Sequence, residues 1–211
     1  MYLPAHFSET RFEVLRELVQ AHPLGVLVTF GAEGLNANHL PFEWDPEPAP
    51  FGTLRAHVAR ANSLWKELSS GTQPLAIFQG PQHYITPSWY QTKKDTGKVV
   101  PTWNYLVVHA YGPMWVIDDP QWLRKFVGAL TDRFEAPRAQ PWKVEDAPED
   151  FIATQLKAIV GIEMTVEKLL GKWKASQNRP AQDRDGVVAG LREYRDADAK
   201  LIAEAVGKDK T

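Results

Sequence analysis

Apolar positions in the first sixty residues switch from helical to strand-like spacing. Phe12, Leu15 and Val19 recur at three- and four-residue intervals, which predicts an amphipathic helix capped by Ser8 and ended by His22-Pro23. LGVLVTF (24–30) is then a continuous apolar run, GAEG a turn, and LNANHLPFEW (35–44) the returning strand of a hairpin. After the proline-rich loop 45–52, Leu54, Ala56 and Val58 alternate with Arg55, His57 and Ala59, as in a half-buried strand. Asn62 or Ser63 caps a short helix reaching Gly71.

PLAIF (74–78) begins another strand, continued by YITPSWY beyond a Gly-Pro interruption, and QTKKDTGK (91–98) reads as a polar loop. VVPTWNYLVVHAYG (99–112) follows as a long strand. Successive strand residues face opposite ways, so Trp103 and Tyr105 share one face and Thr102 and Asn104 the other. The aromatic pair is expected to pack and the polar pair to line a polar surface. Asp119-Pro120 marks a helix start, with the helix running to about Phe134. A shorter helix is expected over 151–157. IVGIEMTVEKLLGKWKAS (159–176) reads as one last strand, and Val187, Leu191, Tyr194, Leu201 and Ala205 as the stripe of one C-terminal helix. About six strands with short connections and flanking helices predict a mainly β (α+β) fold, a small antiparallel barrel rather than a parallel sheet. The division expected is 1–180 for the barrel with helical insertions and 181–211 for the C-terminal helix.

Composition narrows the chemistry. Among 211 residues, 24 basic and 26 acidic side chains leave a net charge of −2, which creates no general field for nucleic acid or anionic membranes. Cysteine is absent, so disulfides, thiolate catalysis and cysteine-held metals are excluded, in keeping with a cytoplasmic location. No signal peptide or membrane span is expected. Three Gly-Lys pairs imitate a phosphate loop, but Thr92, Val166 and Ile202 stand where its first glycine is required. Neither a Gly-x-Gly-x-x-Gly helix start nor a Gly-x-Ser-x-Gly elbow occurs. The six histidines form no ligand-spaced pair, so no metal site is expected.

Two stretches carry candidate chemistry. Arg60, Ala61 and Asn62 end a strand just before a helix, where a guanidinium and backbone N–H groups could hold a phosphate. In GKWKASQNR (171–179), strand alternation puts Lys172, Lys174 and Ser176 on one face opposite Trp173, with Gln177 close behind.

The segments MYLPAHF, GLNANHLPF, HVARANSLW, FQGPQHYITPSWY, VVPTWNY, LTDRFE, PWKVEDAP, GKWKASQNR and DGVVAGL, in this order, resemble the PaiB family over residues 1 to about 191. The resemblance implies an FMN-binding split β-barrel, a homodimer with flavin at the subunit interface, and a role as negative transcriptional regulator. A more distant likeness to pyridoxamine-phosphate-oxidase-type barrels supplies a local mapping. Their phosphate-contacting Ser-Arg-Lys strand end is Ala59-Arg60-Ala61 here, so the arginine is kept and its polar neighbours are not. The strand along their flavin ring edge corresponds to Asn36–Pro41, which implies Asn36, Asn38 and His39 as cofactor contacts. Thr102, Trp103, Asn104, Lys174 and Gln177 complete the candidate set.

Two functions follow from this reading. One is a cytoplasmic, FMN-binding homodimeric repressor; the other is an FMN-dependent oxidoreductase of unknown substrate. No helix-turn-helix signature is present, so DNA as a partner has weak support, and no positioned acid–base pair identifies a substrate.

Overall fold

The computed structural model describes residues 1–68 and 73–208. In chain order the elements are β1 Ser8–Glu9, α1 Phe12–Ala21, β2 Leu24–Gly31, β3 Gly34–Pro41, β4 Glu43–Asp45, β5 Thr53–Ala59, α2 Leu64–Glu67, β6 Leu75–Ile85, α3 Gln91–Thr96, β7 Thr102–Tyr111, β8 Met114–Ile117, α4 Pro120–Glu135, α5 Glu149–Lys157, β9 Ile159–Thr165, β10 Lys168–Lys174, α6 Ala181–Leu191 and α7 Ala197–Gly207. The strands form two sheets, ordered β1-β10-β7-β6-β2-β3 and β4-β5-β9-β8. The mainly antiparallel α+β class matches the expectation, with ten strands among the described residues in place of about six. The chain divides into two units of interleaved segments, one of residues 1–22, 78–109 and 170–211, the other of 23–77 and 110–169.

The second unit contains the hairpin read from the sequence. β2 and β3 pair from Leu24↔Pro41 to Gly31↔Gly34, with Ala32-Glu33 at the tip and Gly34 at φ 97°, a conformation that favours glycine. β5 and β9 pair from Thr53↔Thr165 to Ala59↔Ile159. Their even-numbered positions Leu54, Ala56, Val58, Val160, Ile162 and Met164 are buried, as the alternation over 53–60 requires. Each larger aliphatic side chain buried this way contributes about 1.5–3 kcal/mol. Asp119 caps α4 by accepting from the Gln121 and Trp122 amides at 2.8 and 3.4 Å. Leu123 of α4 then clusters with Val144, Ile152 and Leu156. The helix expected to reach Gly71 is the four-residue α2; residues 69–71 lie outside the described residues.

The strand expected over 159–176 is two strands. Hydrophobic alternation continues through Val166 and Glu167, but their amides donate to the Gly52 and Tyr111 carbonyls, which turns the chain out of the β9 ladder.

In the first unit, α1 buries Leu15, Leu18 and Val19. Ser8 is not its cap. It pairs with Lys172 in the β1–β10 ladder, and Glu9 Oε1 instead accepts from the Thr10 and Arg11 amides at 3.0 Å each. Residues 91–96, read as loop, form α3, closed by Gly97 at φ 67°. The single C-terminal helix is two helices, because Asp196 stops the run and caps α7 through the Ala199 amide at 2.8 Å.

The faces of β7 are the reverse of the expectation. Asn104, Leu106, Val108 and Ala110 point into the core, and Trp103 is 52% exposed. The aliphatic residues at 106, 108 and 110 outweigh one amide, so their parity takes Asn104 inward. No helix among the described residues is long and apolar enough to cross a membrane.

Candidate functional site

The candidate residues separate into two groups, one in each unit. In the second unit, alternation along β3 puts Asn36 and Asn38 on one face and the exposed His39 on the other. Asn62 Nδ2 donates to Asn38 Oδ1 at 2.8 Å, and Asn38 Nδ2 approaches Asn36 Oδ1 at 3.5 Å. Asn62 Oδ1 accepts the Leu64 amide at 2.9 Å, so that helix-start N–H is already taken. The result is a half-buried row of three amides, with Ala61 exposed beside it.

Arg60 turns elsewhere. Its Nη1 and Nη2 grip Asp118 Oδ2 and Oδ1 at 2.8 and 2.5 Å. Nε donates to the Lys157 carbonyl at 2.8 Å, and Nη2 also reaches the Ile159 carbonyl at 3.1 Å. The hydrogen bond from Arg60 holds Asp118 below the ordinary carboxylate range. Four of the five guanidinium N–H donors are used, so a phosphate could engage both Nη groups of this arginine only by displacing Asp118.

In the first unit, β7, β10 and the turn after it bring Thr102, Asn104, Lys174 and Ser176 together. Lys174 Nζ donates to Thr102 Oγ1 at 2.5 Å and to the Trp103 carbonyl at 2.6 Å. Asn104 Nδ2 donates to Ser176 Oγ at 2.9 Å, while Asn104 Oδ1 is buried with no partner. Ser176 has φ 61°, the left-handed region that costs a non-glycine residue about 1–3 kcal/mol, and its bond to Asn104 helps hold it there. Gln177 braces the turn by accepting from the Ala175 amide at 2.8 Å and donating to the Trp173 carbonyl at 2.5 Å.

Three cations gather around this group. Lys172 and Lys174 place their ammonium groups 5.4 and 5.9 Å from the Tyr105 ring centre, and the Arg179 guanidinium lies 4.8 Å from that of Tyr90. Lys172 also donates to the Tyr2 carbonyl at 3.0 Å. Among the described residues none of the three forms an ion pair. Partial burial, then the charges of Lys172 and Arg179, pulls Lys174 below the ordinary lysine value of 10.5. Asp183 is the carboxylate whose charge acts, with that of Arg179, on Tyr90, and its Oδ1 accepts from the Thr92 amide at 2.9 Å. Strand parity paired Lys172 with Lys174 in the sequence. Arg179 belongs to the same basic run of the sequence, whereas Tyr90 carries no such signal, because only the fold brings it to Arg179.

Comparison with known proteins matches the chain to a family. The family model described as "Putative FMN-binding domain" matches residues 1–168. The chain belongs to this FMN-binding family. AN0679 of Emericella nidulans is 35% identical over 241 residues, covering 98% of this chain and 96% of that protein. Protease synthase and sporulation protein PAI 2 of Bacillus subtilis is 30% identical over 204 residues, covering 97% of this chain and 95% of that protein, which bears out the PaiB resemblance. Among solved structures, an FAD and heme binding protein from Mycobacterium smegmatis shares the fold with a TM-score of 0.58 at 15% identity, over 87% of this chain and 80% of that one.

The cofactor of this FMN-binding family fits the residues present. Three cations with no ion-pair partner among the described residues suit a phosphate dianion, exposed Trp103 offers a ring face, and the buried Asn104 Oδ1 is an acceptor without a donor among those residues. The cations at 172–179 lie beyond the segment spanned by the family model but within the region shared with full-length relatives.

Proposed function

We propose that the protein is a cytoplasmic homodimer that binds FMN and acts as a negative transcriptional regulator. The observation that carries the FMN part is the Lys172–Lys174–Arg179 cluster, three cations beside two tyrosine rings with no ion-pair partner among the described residues. Lys174 and its two cationic neighbours hold the phosphate. Thr102 and the Trp103 carbonyl orient the Lys174 ammonium, and Asn104 with Gln177 keeps the following turn in shape. When bound, FMN supplies a reversible redox centre.

The homodimer is supported by exposed aromatic surface: Trp103, Tyr84 and Tyr194 are 52, 45 and 47% exposed, a composition suited to an interface core. Light scattering is expected to give twice the 23.8 kDa chain mass, and a monomer at micromolar concentration would contradict the dimer.

The regulatory part rests on the PaiB relationship. With a net charge of −2, the isolated protein is expected to bind DNA weakly, through phosphate attraction that fades steeply as salt rises. Gel-shift or anisotropy titrations at several salt concentrations check this. Tight sequence-selective binding at physiological salt would point instead to direct operator recognition. The competing reading, an FMN-dependent oxidoreductase, predicts rapid bleaching of the bound flavin by NADH or NADPH in anaerobic stopped flow; the regulator reading predicts slow or no bleaching.

A further inference from the structure

We propose a second ligand site, in the cleft between α4 and α5, for a monoanionic amphiphile: one carboxylate on an apolar body. The cleft encloses about 560 Å³, within the roughly 300–1,000 Å³ usual for small-molecule sites. Its accessible apolar lining is Pro120 and Ala153, and the buried Leu123 and Leu156, 1 and 9% exposed, close the floor beneath them.

The charges at its rim do not balance. Asp118 is taken by the two-pronged grip of Arg60, and Glu149 accepts from Arg124 Nη1 at 2.8 Å. Those four charges cancel in pairs. The fifth, the Lys157 ammonium, has no hydrogen-bond or ion-pair partner among the described residues. Arg60 also donates to the Lys157 and Ile159 carbonyls, which offsets part of the negative end of α5 beside that ammonium. An apolar floor under a single spare positive charge selects for shape and sign together. A carboxylate pairs with Lys157 while its hydrocarbon lies along Pro120 and Ala153. An organic cation meets the same ammonium as repulsion, and a dianion carries one charge without a partner.

This site shares no residue with the cations assigned to the FMN phosphate, and its existence does not depend on that assignment. Only Arg60 is shared with the flavin contacts implied by resemblance, and four of its five donors are already engaged.

The test is an amide-resolved NMR titration of the full-length chain with octanoate, with octyltrimethylammonium and with FMN. Octanoate is expected to produce saturable shifts confined to residues 120–124 and 149–157. Lys157→Glu, at an exposed position, should weaken this binding at least tenfold. Ala153→Trp, which fills the cleft from an exposed helical position, should abolish it without lowering the melting temperature or the FMN affinity. Neither octyltrimethylammonium nor FMN should give saturable shifts there. Equal responses to the two amphiphiles, undiminished octanoate binding by Lys157→Glu, or saturation of the cleft by FMN would each overturn the proposal.

Discussion

Replacing Lys174 with alanine is expected to weaken FMN binding by about ten- to a hundredfold, the equivalent of one charge-assisted hydrogen bond worth roughly 1.5–3 kcal/mol. The ammonium is already oriented by Thr102 and the Trp103 carbonyl, so little ordering remains to be done when an anion arrives. Lys174→Arg should keep much of the affinity. Arg60→Ala should change it less than about threefold, because four of the five Arg60 donors are committed to Asp118 and two carbonyls. The pH dependence has a definite sign. Burial and like charges lower the Lys174 pKa in the free protein, and a bound phosphate dianion would raise it. Affinity is therefore full below the free-state value and falls as pH rises through it, earlier than an ordinary lysine at 10.5 would allow. In Lys174→Ala that decline should disappear. Flavin fluorescence titrations of wild type and variants across pH measure all of this. A large loss in Arg60→Ala with none in Lys174→Ala would return the phosphate to Arg60.

Gly112→Ala is expected to destabilise the fold by about 3 kcal/mol, the upper end of the usual range for overpacking. Gly112 joins β7 to β8, and a methyl group there would overlap the Thr165 carbonyl oxygen. The obstacle is backbone, and it is pinned on both sides: Thr165 donates its amide to the Pro113 carbonyl at 3.1 Å, and Glu167 donates to that of Tyr111 at 2.9 Å. No side chain can rotate away to relieve the contact. The melting temperature should drop by about 6–12 °C for a chain of this size. Urea denaturation of the two proteins provides the free-energy difference, and coincident curves would mean that the backbone shifts freely at this turn.

Local rules predicted local features well. The β2–β3 hairpin and the Asp119 cap depend on residues adjacent in sequence, and both are present, although the returning strand read to Trp44 ends at Pro41 and residues 43–45 join the other sheet as β4. Failures came where a distant group decides. Ser8 has the chemistry of a cap, but the β10 ladder claims it as a strand residue and leaves Glu9 to satisfy the amides before α1. Alternation runs from Val160 to Val166 and changes parity after Lys168, a local sign of the break, while the carbonyls that turn the chain belong to Gly52 and Tyr111, both more than fifty residues away. The α6–α7 break carried a local signal, since Asp196 is a strong capping residue within the helical stripe.

The candidate site divides in the same way. Parity along β10 puts Lys172 and Lys174 on one face in advance, whereas Asn36, Asn38 and His39 come from the resemblance, and the parity of β3 separates His39 from the other two. Arg60 has the residue type and position of a phosphate ligand. Its partner, Asp118, is 58 residues downstream, so its engagement could not be read from the neighbouring sequence. Trp103 was assigned inward by size, whereas the aliphatic parity at Leu106, Val108 and Ala110 was the better guide and makes Asn104 the buried member.

The central claim, that this chain is a flavoprotein holding FMN, is tested most directly by the visible absorption spectrum of the purified full-length protein. The prediction is a two-banded oxidised-flavin spectrum that co-elutes with the protein on gel filtration, either as purified or after incubation with FMN. Heat denaturation should then release FMN in a ratio approaching one per chain. A protein that remains colourless and fails to retain added FMN through gel filtration would contradict it.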